Sequence, residues 1–528
     1  MVMMDNQLKS SDGVLTGCDL EPIHTPGSIQ SHGILLVLDP ETMVVLQCSA
    51  NAGQLFPVCA GGDIPGQPLS QLVPAEVYAR QLAVPLMESR QANPSGTLVT
   101  DLAMDATGKL WDLVVHWSNG LGLLEFEPAP AERSGIPPSL DVLHQKLEAI
   151  SGLQNLLQAA VDLILAMTDY DRVLVYNFMD DTCGLVLAEA RRAPEVPSLM
   201  GLRFPAGDIP KQARQLYLLN RIRCIANVGS EQSPLLPLVN PKTFAPTDLS
   251  LAVLRSVSSI HIQYLSNMKV TGALSLSLVV EGKLWGMLIC HRISGNYHPD
   301  TTARMGLSAL ADTISRLIAL QINEARHAAM DHLKAMMDLL ETSAGQCAHE
   351  DTMLWEGDIA SICSFLLNFV NADGCSLSCG GYRYTSGCTP DAGEMPGLLA
   401  WLESLELQEN IWVTHRLSAL YPAAQGFRNR VSGMMVLKLS GSEGGYMLLF
   451  REEWIHTIAW AGAPGHGLVP HTEIPRGSFA PWKELVRGQS YPWSSMDIEM
   501  AQAFRHHVVS LCGRIQKAAA STDHMEES

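Results

Sequence analysis

An α+β protein of several tandem domains, each an antiparallel sheet with flanking helices, is the fold class that three observations predict. The first is length: 528 residues correspond to about three or four domains of ordinary size. The second is pattern. Short apolar runs bounded by Gly, Asn and Pro turns interleave with stretches whose apolar residues recur at three and four. The third is Gly306–Gly345, which contains no Pro and no internal Gly. Its Leu307, Leu310, Ile314, Leu317, Ile322, Met330, Leu333, Met336 and Leu340 fall mainly on one face. A helix of that length spans about 55–60 Å, too long for one domain to bury, so it is predicted to join two domains and to offer a seam to a partner chain.

In chain order, ILLVLD (34–39) and MVVLQCSA (43–50) are predicted strands with a hairpin turn at PETM between them. LVTDLAMDATGKLWDLVVHWSNGLGLLEFEP repeats strands broken by Gly and Asn turns, and closes a first small sensory domain near Glu127. A Pro-rich linker follows over 128–138. One helix over LDVLHQKLEAISGLQNLLQAAVDLILAMT opens the second domain, and RVLVYNF, GLVLAEA, ALSLSLVV and KLWGMLICH are its strands, the last two a hairpin about Glu281 and Gly282. The third domain, about 351–512, alternates helix and strand. It carries an excursion over Trp454–Trp493 with little core periodicity, a length of loop that is usually functional.

Composition narrows the function. Hydrophobic residues are 47% and charged ones 17%, the profile of a folded rather than a disordered chain. A net charge of −19 argues against nucleic-acid binding. No run of about eighteen uninterrupted apolar residues occurs and MVMMDNQLKSSDG holds no apolar signal core, which predicts a cytoplasmic protein without membrane attachment. The twelve cysteines lack CxxC spacing, so neither a metal site nor a disulfide framework is predicted, and Cys375 and Cys379 have no nearby His. Cys18, in a polar leader, is hard to explain as core.

Two stretches carry unusual chemistry. In FPAGDIPKQARQLYLLNRIR (204–223), Pro205 and Pro210 lack an N–H and Gly207 lacks a side chain, so the backbone at Asp208 can face a ligand. A helix from Lys211 to Leu219 then carries Tyr217, with Arg223 beyond it as a cation suited to a carboxylate. On these residues alone an ordinary Pro-rich loop before a surface helix is the favoured reading over a ligand wall. In LRSVSSIHIQYLSNM (254–268), a helix would place Arg255, Ser258, His261, Tyr264 and Met268 on one face, a mixture that a plain core helix does not need.

Five blocks in order, CDLEPIHTPGSIQSHG, PAGDIP with QARQLY, LRSVSSIHIQYLSNM, LWGMLICH, and PRGSF followed by WKELVRGQSYPW, resemble the photosensory core of bacterial phytochromes. The resemblance implies a leader (1–33), a PAS domain (34–127), a linker (128–138), a GAF domain (139–322), a connecting helix (306–345), a PHY domain (346–516) with a tongue at about 454–493, and a tail (517–528). It also implies a figure-of-eight knot between leader and GAF domain. The implied cofactor is biliverdin IXα, a linear tetrapyrrole, joined by a thioether to Cys18, because the alternative attachment position beside the helix histidine is Ile260.

The resemblance further assigns roles. Asp208 and His261 face the ring nitrogens. Arg223 and Arg255 clamp the propionates, with Ser258, Ser275 and Ser277 as hydroxyl partners. Tyr176, Phe204, Ile209, Pro210, Tyr217, Tyr264 and Met268 border the pocket, and His291 bonds the carbonyl of the rotating ring. Arg476 pairs with Asp208 at rest, Ser478 replaces it after light, and the tongue refolds. Tyr170, Asp171 and Arg172 are read as structural. Gly207 and Arg292 depart from the family's usual Ser and His, which puts the far-red state in question. Expected partners are a second copy through the long helices and a downstream output module or response regulator. No catalytic site is expected: His506 and His507 lack a phosphoacceptor context and no nucleotide lid follows. The rival readings are a tandem small-ligand sensor and a truncated sensor histidine kinase.

Overall fold

The computed structural model describes residues 21–56, 64–89, 96–104, 108–131, 140–179, 183–346, 352–379, 382–439, 445–463 and 477–509. Cys18 and Arg476 lie outside them. Among the described residues the chain divides into two compact units, one within 21–322 and 459–482 and the other within 323–458 and 483–509.

The first sheet has seven antiparallel strands in the order Ser28–Gln30, Gln232–Leu236, Val45–Ser49, Ile34–Leu38, Leu121–Pro128, Leu110–Ser118 and Thr97–Ala103. Asn119 and Gly120 both have positive φ (50° and 73°), which suits the tight turn joining two of these strands. One strand comes from far along the chain: Gln232–Leu236 pairs Val45–Ser49 on one edge and the leader strand on the other. Ile29 pairs Ser233 and also bridges Arg255, so the leader strand is held by two stretches from the second domain. Buried Gln30 fastens it, donating to Cys224 O (2.9 Å) and accepting from Ala226 N (3.1 Å).

The central sheet runs Ile222–Ile225, Gly272–Val280, Lys283–Arg292, Arg172–Phe178, Gly184–Arg191 and Arg203–Phe204. Its strands read as near-continuous apolar runs because both faces are covered. Leu274, Leu276, Leu278, Leu288, Cys290, Val173 and Val175 point to a core shared with the helices Leu140–Glu148, Leu153–Met167 and the start of the long helix. The alternate residues point the other way, and this period of two creates the candidate site. Glu281 and Gly282, both at positive φ, close the hairpin where expected.

Three helices differ from expectation. The single helix predicted from Leu140 is two, broken at Gly152, whose φ of 89° no helix can carry. The helix predicted from Leu254 begins only at Ser259, with Ser258 as N-cap accepting from Ile260 N. Arg255 is therefore off the helix, and the five-residue face does not exist. The long helix spans Thr301–Gln346, starting five residues earlier than the pattern suggests, because the Asp300 carboxylate accepts from Ala303 N (2.9 Å) and caps it ahead of Gly306. Its apolar composition is used in packing: Leu307, Leu310, Ile314, Leu317 and Ile318 enter the central core and Leu333 enters the core of the other unit.

In that other unit a five-stranded antiparallel sheet runs Tyr382–Gly387, Gly374–Cys379, Gly445–Arg451, Gly433–Leu439 and Ile411–Thr414. Cys375, Leu377, Met435 and Leu437 pack toward the Thr352–Phe369 helix and helix 495–509. Met434, Val436, Leu448 and Phe450 pack toward Met395–Ser404. Cys375 and Cys379 are thus core residues of one strand face.

Candidate functional site

On the face of the central sheet away from the helical core lies a cleft enclosing about 690 Å3, the open space at its mouth included. Strand alternation supplies the floor: Leu174 and Tyr176, Ala273 and Ser275, and Met287, Ile289 and His291. The walls come from the two stretches singled out in the sequence. Phe204, Asp208, Ile209 and Tyr217 form one and His261, Tyr264 and Met268 the other, with Arg223 on an edge strand. Pro210 caps the Tyr217 helix instead of lining the cavity. Three further expected residues stand off the wall. Arg255 donates to Ile23 O (2.8 Å), Ser258 donates to Glu21 (2.6 Å) while capping its helix, and Ser277 donates to Tyr217 O (2.6 Å). Ser478 is exposed, beside Phe479.

Each wall is fixed by specific contacts. Tyr176 packs edge-on to Phe178 and Phe204, and the strand facing it must be glycine at 184, since a side chain there would collide with the Tyr176 ring. Arg214, one turn into the Tyr217 helix, reaches back to donate to Ile209 O (2.9 Å) and Ala206 O (3.1 Å), holding the PAGDIP turn. Tyr264 Oη donates to the Asp208 carboxylate (3.1 Å), stacks on His261, and receives Phe479 edge-on at 4.9 Å. Gly207 has open space beside its Cα, so the usual Ser of the family would fit.

Arg172 does more than the structural role expected of it. Its Nη2 and Nε lie 2.9 and 3.3 Å from His291 Nδ1. Arginine can only donate, so Nδ1 accepts and the neutral ring keeps its proton on Nε2. Burial, reinforced by the Arg172 charge, holds the His291 pKa well below the ordinary value. His261 is lowered to about 4 by burial and then by Arg223. Arg292 does not face the cavity, as strand alternation dictates: it pairs with Asp171 (3.5 Å) and donates to Asp169 O.

One end of the cleft carries a cation, Arg223, and a second, Arg255, lies beside it off the wall. Burial and the neighbouring Arg255 pull Arg223 down to about 9, and burial lowers Arg255 as well. Arg223 donates to Val253 O (3.2 Å) and Ser256 O (2.8 Å), and buried Arg255 Nε has no partner. Neither guanidinium has an anionic partner within ion-pair distance among the described residues. The Val253 carbonyl is itself positioned from the first domain: buried Glu125 accepts from Val253 N (3.1 Å) and Leu254 N (2.6 Å), and its Oε1 also meets His116 Nε2 (2.9 Å).

Sequence reasoning missed Arg172, Arg214, Glu125 and Phe479, along with Leu174, Met287 and Ile289 of the floor. The floor residues were legible as strand residues, but which of two buried faces meets a ligand has no sequence signal.

Family models match three segments: PAS fold over 18–129, GAF domain over 152–322 and Phytochrome region over 348–517. Cyanobacterial phytochrome B of Nostoc sp. is 31% identical over 96% of this chain and 67% of its own length. The bacteriophytochrome of Pseudomonas aeruginosa is 33% identical over 97% and 68%. The chain thus spans about two thirds of the length of these relatives. Among solved structures, the bacteriophytochrome of R. palustris superposes with a TM-score of 0.81 at 29% identity, covering 94% of this chain and 98% of that one. The photosensory core module of the Stigmatella aurantiaca phytochrome gives 0.79 at 32%, covering 95% and 99%. All three matched domains are sensory, and this cavity lies in the central one: the chain belongs to the phytochromes, as the PAS-GAF-PHY photosensory part of a red/far-red bilin photoreceptor.

Proposed function

We propose that the chain holds biliverdin IXα in the central cavity, tethered by a thioether to Cys18, and converts absorbed red light into refolding of the tongue. The observation that carries this is a buried guanidinium, Arg223, lining an aromatic cavity, with a second, Arg255, beside it but off the wall, neither with a carboxylate partner among the described residues. A ligand with two carboxylates meets that need. The leader supports the tether, since residues 23–30 run against the Arg255 segment and bring the chain after Cys18 to this end of the domain.

When bound, the pigment supplies a light-driven rotation about the double bond to its last ring. The chain's own residues do the rest. Arg223 and Ser275 grip carboxylates, and Arg255 joins them by turning from Ile23 O. The Asp208 backbone and His261 face the ring nitrogens. His291 donates from Nε2 to a ring carbonyl, its tautomer held by Arg172. Tyr176, Phe204, Ile209, Tyr217, Tyr264 and Met268 wall the space in which a ring turns. Breaking the His291 and Tyr264 contacts changes what Asp208 can offer to the tongue, where Arg476 grips it at rest and Ser478 after light, a two-state element biased by a local change. The expected outlets are a second copy through the long helices and a downstream output module or response regulator.

An absorption spectrum of biliverdin-loaded protein before and after red light tests the reading. A red band that gives way to a far-red band is expected. A colourless protein, or one whose spectrum light leaves unchanged, ends it in favour of a small-ligand sensor.

A further inference from the structure

Outside the cavity lining, three side chains from three parts of the fold converge. His32 follows the leader strand, Glu127 ends the first domain's sheet, and His298 precedes the long helix. One donor atom from each lies within 4.8 Å of the others. His32 Nε2 is 3.5 Å from Glu127 Oε2, and the two imidazoles lie 4.9 Å apart, centroid to centroid. Apart from that ion pair, neither imidazole has a hydrogen-bond partner among the described residues. Buried Arg304, in the first turn of the long helix, grips both Glu127 oxygens (3.0 Å for Nη1 to Oε2) and is itself held against Pro299 O (2.9 Å).

We propose that His32, Glu127 and His298 form a binding site for one divalent transition-metal ion of the zinc class. Two imidazoles and one carboxylate are a donor set that zinc accepts, with water as fourth ligand. Ligand atoms about 2.0–2.2 Å from a shared ion sit about 3.2–3.5 Å apart, so closing the present spacing takes side-chain shifts of ~1 Å. Arg304 plays the part of an outer partner, aiming a carboxylate whose remaining lone pairs face the imidazoles. Its positive charge, paired with the Glu127 carboxylate, lowers the affinity such a site can reach. Such an ion would staple leader, first domain and central domain at the root of the long helix, so it would stiffen the unit without touching the pigment.

The test uses the full chain, stripped of metal, with and without pigment. Zinc chloride is titrated by equilibrium dialysis and bound metal is counted against a His32→Gln/His298→Gln double variant, which cancels binding by cysteines. One extra ion per chain in the parent protein is expected, with at least a tenfold weaker constant in either single variant. Zinc should raise the melting temperature of the parent and not of the double variant, while the pigment spectrum stays unchanged. Equal metal uptake by parent and double variant overturns the site, as does a zinc-shifted spectrum without a stability gain, which would put the ion on the tetrapyrrole. If the double variant fails to fold, His298→Gln alone serves as the reference. Failure here leaves the bilin reading intact, since no cavity residue takes part.

Discussion

At the scale of residues, the candidate site depends on side chains that never touch its space. Glu125 is the clearest: it fixes two amides of the segment whose carbonyls hold Arg223. Changing it to Gln keeps the size but replaces an ionised acceptor with one that can satisfy only one amide fully, and leaves His116 facing an amide. An unsatisfied buried donor costs about 1–3 kcal/mol. The expected outcome for Glu125→Gln is therefore a midpoint of denaturation lowered by that order, together with slower pigment uptake; uptake at the parent rate in an equally destabilised protein would show that Glu125 does not position Arg223. The tether belongs to this scale too. Cys18→Ala is expected to abolish covalent attachment while leaving noncovalent uptake, and pigment that stays with the denatured variant would falsify the assignment.

At the scale of elements, the tongue is the part whose chemistry is proposed to change. Trp460 makes a parallel pairing with Arg203, the residue before Phe204 of the cavity wall, and Gly462 donates to Ala480 O (3.0 Å). Phe479 rests on Tyr264, whose hydroxyl bonds Asp208. Ala461 is buried in the same apolar cluster as Tyr176 and Phe204, with Ala459 packed against it; an element held by small side chains, a ring and a short pairing can detach without dismantling a domain core. Arg476→Ala is expected to reduce formation of the far-red state severalfold with pigment uptake within twofold of the parent. Photoconversion at the parent yield would remove the tongue from the mechanism. The long helix, in contrast, carries apolar residues into domain cores over much of its length, and a strain applied to it has few ways to dissipate locally.

At the scale of the whole molecule, the cavity histidines make stability depend on pH. His261 is lowered to about 4 and His291 is held well below its ordinary value, while the unfolded chain titrates its histidines near 6.5. A folded pKa below the unfolded one means that the unfolded state binds protons first as pH falls. The pigment-free protein should keep full stability above about pH 6.5 and lose up to about 1.4 kcal/mol per pH unit through His261 between there and about pH 4, with His291 acting in the same direction below about pH 6.5. Denaturant titrations at several pH values measure this, and His261→Gln should flatten the slope. An unchanged slope would mean that the imidazole is already hydrated in the fold.

Much of this protein was legible in its residues because the signals were local. Turns at Asn119–Gly120 and Glu281–Gly282, strand lengths, the unbroken run of the long helix and the five blocks all reside in contiguous sequence. The helix drawn back to Leu254 failed because Ser258 is an N-cap, a role that competes with helix interior in the same residue type, and the helix drawn through Gly152 failed because backbone conformation overrode apolar spacing.

What the sequence by itself determined is the fold class, the domain order, the family and the two stretches that wall the cavity, since periodicity and motif spacing are properties of neighbours along the chain. What only the tertiary structure decided is which sheet face is hollow, that Arg255 turns to the leader, that Arg172 sets the His291 tautomer, and that His32, Glu127 and His298 meet. Those are contacts between residues up to 266 positions apart, set by sheet register and by the path of the leader, and no local pattern encodes them.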